Sequence, residues 1–294
     1  DKAYGESTRK KVEIVTGFLC NNHCKFCSVG ERRINRPLEE IKREIDRAVE
    51  EEPYEINLTG GEPTIRKDIF ELISYARKKV NIVRITTNGR LLYYEWFAKK
   101  LVEAGLTGAI FSLHSSDAKT HDYLTSVKGS FGQLMKGMEN LSKIVEDISV
   151  KTVVNTLNYK QLPAMVKKTI DRFKVKTYCL IYPTIDGIIV GHTELMPRYE
   201  NVRPYVHRAL EVVREKNRVG WVLNVPPCFL DKEEQNCGTM KLNTIMYWPD
   251  MRTDLDKKKL EGKIKIDKCK GCELRENCPG IPSDYYELHM AKKA

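Results

Sequence analysis

The stretch VEIVTGFLCNNHCKFC, residues 12–27, joins an apolar segment to a polar loop that carries three cysteines. Its first half, residues 12–18, is rich in β-branched and apolar side chains and predicts a β-strand. Its second half places thiols at a C-x3-C-x2-C spacing, at Cys20, Cys24 and Cys27. Because ligands bind beyond the carboxyl ends of parallel strands, this order predicts a metal-binding loop at one edge of a sheet.

The pattern that follows alternates between strand-like and helix-like stretches as far as residue 217. Further strands are predicted over residues 55–58, 82–86, 109–114, 149–155 and 177–182. Helical spacing occurs over residues 38–51, 67–79, 91–104, 131–145, 162–173 and 198–216. Such alternation requires a parallel sheet with crossover helices. Six units are two fewer than a closed barrel has, so the expected fold is α/β, a partial (βα)6 TIM-like barrel.

The composition changes after the last predicted helix. Beyond an apolar stretch at residues 219–225, five of the nine cysteines fall within 51 residues, with dense Lys, Asp and Glu between them. We therefore divide the chain into a barrel domain, residues 1–217, and a small cysteine-rich C-terminal domain, residues 218–294.

The composition excludes several broad classes of protein. Of the 294 residues 41% are hydrophobic, so a disordered chain is excluded. No apolar run reaches the length of a membrane span, and residues 1–11 are polar, so we expect no membrane span and no secretory signal. An odd number of cysteines in two clusters predicts metal ligation in a reducing, cytoplasmic setting. Lys and Arg exceed Asp and Glu by 50 to 40, but the excess is spread out, so an ordinary basic surface is favoured over nucleic-acid binding.

The first cysteine cluster suits an iron–sulfur centre. Cys20, Cys24 and Cys27 can hold three irons of a [4Fe–4S] cluster and leave the fourth iron open to a small bidentate molecule. Zinc is the alternative, with His23 as its fourth ligand. His23 adjoins Cys24, and adjacent residues rarely converge on one tetrahedral ion, so the cluster is favoured over zinc and over a set of cysteines that bind no metal.

Two motifs together resemble the radical S-adenosylmethionine (SAM) superfamily. One is the C-x3-C-x2-C spacing after the first strand, with Phe26 before its last cysteine. The other is Gly60-Gly61-Glu62-Pro63 after the second strand, which is similar to that family's GGEP motif. The resemblance extends from about residue 12 to residue 182.

The resemblance implies a reaction and its cofactors. In the family, the amino and carboxylate groups of SAM chelate the open iron, and one electron cleaves the S–C5′ bond. The products are methionine and a 5′-deoxyadenosyl radical, which abstracts hydrogen from a substrate. The chain is then expected to be an enzyme that needs a reducing partner such as ferredoxin or flavodoxin. Its substrate is unidentified: a peptide, a carbohydrate, a cofactor precursor or a nucleotide.

The resemblance also implies SAM contacts at the carboxyl ends of the strands. Gly60 and Gly61 would let the backbone approach the methionine ammonium, and Glu62, followed by Pro63, would compensate its charge or order the loop. Asn88 is a further implied SAM contact, although Asn88-Gly89 could equally form only a turn. Ser112 is implied to contact the methionine carboxylate or the ribose, Asn155 the ribose hydroxyls and Phe26 the adenine. No catalytic residue is assigned beyond these contacts.

The second cysteine cluster has a C-x2-C-x5-C spacing at Cys269, Cys272 and Cys278. It resembles the auxiliary-cluster domain called SPASM, or twitch in its short form, and implies one auxiliary [4Fe–4S] cluster. Cys228 is the expected fourth ligand, and Cys237 is the alternative to it. A zinc site is the alternative.

A non-catalytic function is the alternative. In that case the chain is an iron–sulfur electron carrier, or a module that is stabilised by zinc and binds nucleic acid or protein.

Overall fold

A computed structural model describes residues 9–30, 34–231, 242–249, 251–276 and 278–291. Cys237, the alternative fourth ligand of the second cysteine cluster, lies outside these ranges. Among the described residues, no helix is both long and apolar enough to cross a membrane.

The described residues form one large sheet and one small one. The strands are β1 Lys11–Val15, β2 Glu55–Thr59, β3 Val83–Thr87, β4 Gly108–Ser112, β5 Asp147–Val153, β6 Thr177–Ile181, β7 Val219–Leu223, β8 Thr244–Tyr247, β9 Arg252–Asp254, β10 Lys263–Ile264 and β11 Ile281–Pro282. The large sheet has the order β7-β6-β5-β4-β3-β2-β1-β8-β9. Every pair in it is parallel except β8 with β9. The sheet is curled into a half-barrel, which confirms the expected α/β partial barrel.

Helices connect the parallel strands. They are α1 Leu38–Val49, α2 Ile69–Arg77, α3 Glu95–Glu103, α4 Ala118–Thr125, α5 Ser130–Ser142, α6 Leu162–Phe173, α7 Tyr199–Glu215, α8 Leu255–Lys258 and α9 Ser283–His289. Helix α4 was not predicted. Asp117 begins it, because its carboxylate accepts the backbone N–H of Thr120 at 2.8 Å, and Ser126 ends it in a left-handed conformation.

The two faces of the sheet differ in polarity. The convex face packs under the helices, and its side chains, such as Val12, Ile14 and Leu58, are fully buried. Because side chains alternate along a strand, the residues between them line the concave face. That face carries polar side chains, which include Glu13 on β1 and Lys151 on β5, and both retain some solvent exposure. The concave face is therefore an accessible polar lining.

The chain beyond residue 217 joins the sheet at both edges. Strand β7 pairs with β6, and β8 pairs with β1, both in parallel. Helix α9 is also attached to the barrel: the rings of Tyr285 and Tyr199 stack with centroids 3.9 Å apart, and the Tyr285 hydroxyl accepts the backbone N–H of Tyr199. The division at residue 217 stays a prediction, and backbone pairing is continuous across it.

Candidate active site

The loop after β1 holds the first three thiols against helix α4. The backbone N–H groups of His23 and Lys25 donate to the carbonyls of Thr125 and Leu124, each at 3.0 Å. These carbonyls lie in the last turn of α4, where helical backbone acceptors have no intrahelical partner. The unpredicted helix therefore fixes the middle of the cysteine loop.

The three thiols influence one another electrostatically. Burial, with the Glu62 carboxylate and Cys27 as further causes, raises the pKa of the Cys20 thiol to about 11. Burial together with Cys20 and Cys27 raises the pKa of Cys24 even more. Three thiolates so close together repel one another unless a cation lies between them. The donor set therefore fits an iron–sulfur cluster, whose irons supply that positive charge.

Among the described residues, no group of three or more His, Cys, Asp or Glu side chains is arranged to hold a metal ion. A [4Fe–4S] cluster needs cysteine thiolates that each bind a different iron, and three cysteines of one loop supply three of them.

The two glycines after β2 pack against the backbone that leads into the cysteine loop. A Cβ on Gly60 would stand 2.2 Å from the carbonyl oxygen of Gly17, and one on Gly61 would stand 2.2 Å from that of Leu19. Gly60 also has a φ of +132°, which favours glycine. The backbone N–H groups of Gly61 and Glu62 donate to those two carbonyls at 2.8 Å. Close approach of the two loops therefore requires both glycines before any ligand is considered.

Glu62 is a buried link between the loop after β2 and the end of β3. Its carboxylate accepts hydrogen bonds from the backbone N–H and hydroxyl of Thr64, from the Thr87 hydroxyl at 2.7 Å and from the Asn88 backbone N–H at 2.6 Å. Burial raises its pKa, while these hydrogen bonds act in the opposite direction. Of the two expected roles for Glu62, these contacts favour ordering the loop. Pro63 opens the short 3₁₀ turn that follows it.

Asn88 and Arg90 extend this link to the cysteine loop. The Asn88 side-chain amide donates to the Asn21 side chain at 2.7 Å and lies 3.9 Å from the Cys20 sulfur. Arg90, which sequence reasoning missed, donates to the Asn21 carbonyl and to the Asn22 side chain. Asn88 is therefore more than a simple turn, and Arg90 holds the segment between the first two cysteines.

The remaining predicted SAM contacts lie in different surroundings. Phe26 is buried and packs edge-on against His114, with ring centroids 4.5 Å apart. Ser112 ends β4 on the concave face and is partly exposed. Asn155 is fully buried, and its side chain bonds to the backbone of Val153 and Leu157 within its own turn. The structure thus places Ser112 on the open face, while Asn155 is engaged by its turn.

The second cysteine set comes together from distant parts of the chain. Cys228 follows β7, and burial together with Cys278, Cys272 and Cys269 raises the pKa of its thiol to about 11. Each of the four is at least partly exposed, and none is disulfide-bonded. Four thiols are the number of ligands that a saturated [4Fe–4S] cluster requires.

Comparison with curated proteins gives several radical enzymes as relatives. The chain is 37% identical over 139 residues to the probable GTP 3′,8-cyclase of Pyrococcus abyssi, with 46% of this chain and 44% of that protein covered. The probable GTP 3′,8-cyclase of Methanopyrus kandleri is 31% identical over 229 residues, with 73% and 72% covered. The mycofactocin maturase MftC of Mycolicibacterium smegmatis is 33% identical over 149 residues, with 49% and 38% covered. The chain spans less than half the length of the first curated relatives it matches.

Solved structures share the fold over almost the whole chain. Streptococcus suis SuiB bound to its precursor peptide SuiA aligns with a TM-score of 0.68 and 17% identity, over 97% of this chain and 74% of that one. The enzyme anSMEcpe with bound AdoMet and a peptide aligns with a TM-score of 0.63 and 16% identity, over 95% and 94%. Residues 14–172 match the family model of the radical SAM superfamily, so the chain belongs to that superfamily.

Proposed function

We propose that this chain cleaves SAM reductively and uses the resulting 5′-deoxyadenosyl radical to abstract hydrogen from an organic substrate. The chain is an enzyme of a superfamily that uses a [4Fe–4S] cluster and SAM. Cys20, Cys24 and Cys27 would hold the cluster, which would supply the electron needed for the reductive cleavage of SAM. The chain's own residues have to bind, orient and shield these groups.

The observation that carries the proposal is the Glu62 link. One buried carboxylate joins the loop after β2, the end of β3 and, through Asn88, the cysteine loop. It therefore holds three loops at the carboxyl ends of β1, β2 and β3 in one arrangement. We assign Gly60, Gly61, Glu62 and Pro63 to the wall that faces the methionine part of SAM.

The other SAM contacts follow from position. Asn88 lies beside the cysteine loop and Ser112 is on the concave face, so we assign both to the polar end of SAM. Phe26 offers an apolar ring for adenine. Asn155 is assigned to the ribose by its place after β5, and it would have to leave its present turn partners to reach a ligand.

We assign an auxiliary [4Fe–4S] cluster to Cys228, Cys269, Cys272 and Cys278 in the C-terminal domain, residues 218–294. Full ligation by four thiolates leaves no open iron, so this cluster would relay electrons or stabilise the domain. The electrostatic proximity of Cys228 to the other three supports it as the fourth ligand.

We assign an acidic redox protein, such as flavodoxin or ferredoxin, as the electron donor. Tyr93, Tyr94 and Trp96 are about half exposed and touch in series, with ring centroids 5.4 and 6.5 Å apart. Exposed aromatic clusters of this kind mark protein interfaces. The cluster begins three residues after Arg90, which contacts the cysteine loop. Around it, over residues 90–104 and 128–143, cations outnumber carboxylates by six to three, which suits an acidic partner.

Two cysteine variants test the division of labour between the clusters. Cys24→Ala should abolish 5′-deoxyadenosine formation from SAM and dithionite, whereas Cys272→Ala should retain a measurable part of it. Complete and equal loss in Cys272→Ala, with an unchanged circular dichroism spectrum, would contradict the assigned roles.

A further inference from the structure

A row of four side chains crosses the concave face of the sheet. The strand register pairs Lys151 of β5 with Ser112 of β4 on one side and with Cys179 of β6 on the other. Cys179 in turn pairs with Trp221 of β7. Residues that pair in register lie about 4.8 Å apart in neighbouring strands and point to the same side of the sheet. We call these four residues the Lys151 row.

The Lys151 row faces the inside of the half-barrel. Residues that adjoin it along the strands face the helices instead. The hydroxyls of Thr152 and Tyr178 lie 3.2 Å apart in the buried core, and a Cβ on Gly220 would stand 2.9 Å from the Leu210 side chain in α7. Because side chains alternate along a strand, the row points the other way. Each of its four residues is partly exposed, so the row belongs to the accessible lining of the barrel.

The Lys151 row is level with the proposed SAM contacts. Thr87 pairs with Phe111, so the residues that follow them, Asn88 and Ser112, lie at the same level of the sheet. Asn88 contacts Asn21 of the cysteine loop. A molecule bound along the row would therefore lie beside SAM.

The charge and the indole of the row have no partners among the residues that the structure describes. The Lys151 side chain forms no ion pair or hydrogen bond there, and Trp221 forms no ring contact. On the same face of β5, Asp147 is four residues below Lys151, about 13 Å along the strand, and it lies 3.3 Å from Arg84. The register places Glu13 at that lower level as well. A partly buried cation without a counter-ion, close to an aromatic ring without a neighbour, is typical of a ligand site.

We propose that the Lys151 row binds a substrate that combines a planar ring with an anionic group, the ring against Trp221 and the anion against Lys151. This inference deepens the proposed function and rests on it, because it names a substrate class for the same barrel. An anion neutralises the Lys151 charge and accepts a charge-assisted hydrogen bond from its ammonium group. A stacked ring covers the partly exposed indole of Trp221, and the short side chain of Cys179 between the two leaves room for it.

The spacing of the row limits the shape of the ligand. Lys151 and Trp221 are two strands apart, so their Cα atoms are separated by about 10 Å. A ring joined to an anion through a few bonds engages both side chains, whereas a bare anion or a neutral ring engages only one. The carboxylate of an aromatic acid and the phosphate of a nucleotide both supply this chemistry, and two probes distinguish them.

The test measures binding without any reductant. The probes are 3-phenylpropionate and guanosine 5′-monophosphate, which are titrated separately into the reconstituted protein with SAM and followed by ligand-observed NMR. We expect at least one of them to saturate with a Kd on the order of 1 mM. Saturation by 3-phenylpropionate alone identifies a carboxylate, saturation by the nucleotide alone identifies a phosphate, and saturation by both shows that the row accepts either anion.

Analogues of the probes separate the two contacts on the wild-type protein. The amide 3-phenylpropionamide and the nucleoside guanosine keep the ring and lose the charge, while propionate and inorganic phosphate keep the charge and lose the ring. Each should bind at least about fivefold more weakly than its parent probe, a difference of about 1 kcal/mol. These comparisons need no variant, so they hold even where a variant does not fold.

Variants then assign the binding to the row. Trp221→Leu and Lys151→Met should each weaken binding of the saturating probe at least about fivefold. Trp221→Phe keeps a ring and Lys151→Arg keeps a charge, so both should retain most of the affinity. Lys168→Met on α6 and Tyr54→Leu before β2, both at exposed positions, are the matched controls and should bind as the wild type does.

Three outcomes would overturn the inference: no saturable binding of either probe, analogues that bind as tightly as their parent probes, or unchanged binding in Trp221→Leu or Lys151→Met. Formation of 5′-deoxyadenosine from SAM and dithionite is measured on the same protein without a probe. Its absence would count against the proposed function, whereas the binding results bear on the inference alone.

Discussion

The carboxylate of Glu62 accepts the backbone N–H of Asn88 at 2.6 Å, and this contact ties the loop after β2 to the end of β3. Asn88 in turn donates to Asn21 between the first two cysteines. The position of the cysteine loop therefore depends on a residue of a different motif. In this chain the two motifs form one structural unit.

Replacement of Glu62 should disturb that unit. Glu62→Ala leaves buried donors on Thr64, Thr87 and Asn88 without an acceptor, at a cost of about 2–4 kcal/mol in the free energy of unfolding. Urea unfolding followed by circular dichroism measures this loss, and SAM affinity should fall with it. Surface Glu52→Ala is the control. A Glu62→Ala midpoint equal to that of the control would contradict the role given to Glu62.

The glycine of closest approach gives a second prediction. Gly61→Ala would place a Cβ 2.2 Å from the Leu19 carbonyl oxygen, so the loops must separate, at a cost of about 1–3 kcal/mol. We expect a lower iron content after reconstitution and a lower urea midpoint. Gly132→Ala is the matched control, because it lies in helix α5 with open space around it and should stabilise the protein slightly. If both variants retain full iron content and stability, the close approach is not required.

A buried histidine predicts how stability depends on pH. Burial lowers the pKa of His121 to about 4, and its ring contacts the Ser130 hydroxyl and stacks near His114. The unfolded chain binds this proton below about pH 6.5, while the folded chain does so only near pH 4, so stability should fall as pH drops through that window.

His121→Phe should remove this part of the dependence. Between pH 6.5 and 5.5 the wild type should lose stability more steeply than the variant, by up to about 1.4 kcal/mol per pH unit. Anaerobic urea titrations at several pH values measure the two slopes. His192→Gln, at a partly exposed position, controls for the loss of one imidazole. Equal slopes for wild type and His121→Phe would show that this histidine does not set the dependence.

The aromatic cluster of Tyr93, Tyr94 and Trp96, at the start of α3, predicts an effect that depends on the reductant. Trp96→Ala removes an exposed ring, so it should slow SAM cleavage several-fold when reduced flavodoxin is the donor and leave the dithionite rate unchanged. Tyr54→Ala removes an exposed ring just before β2, at the end of the sheet opposite the cysteine loop, and serves as the control. Equal rates with flavodoxin for both variants would place the docking surface elsewhere.

Much of the fold was accessible from periodicity, because alternating strands and helices with short connections leave few other topologies. The six predicted strands and the cysteine loop correspond to β1 through β6 and to the loop after β1. Strand β8 was missed, since only four residues form it and its pairing with β1 joins distant parts of the chain. Helix α4 was missed because its eight residues are mostly polar.

The site was accessible only in part. Motif spacing identified the cysteines and Glu62 but not the residues that position them. Arg90, for example, contacts Asn21 of the cysteine loop, and the two residues are 69 positions apart in the sequence. Lys151 did leave a signal. A charged residue between Val150 and Thr152 is unusual in a parallel strand, where both faces are normally apolar, and it marks the concave face.

The most direct test of the account is anaerobic reconstitution followed by reaction with SAM and dithionite. We predict 5′-deoxyadenosine and methionine in equal amounts, from a protein that holds about eight irons with matching sulfide, as two [4Fe–4S] clusters require. A protein that takes up zinc in place of iron and forms no 5′-deoxyadenosine would contradict the account.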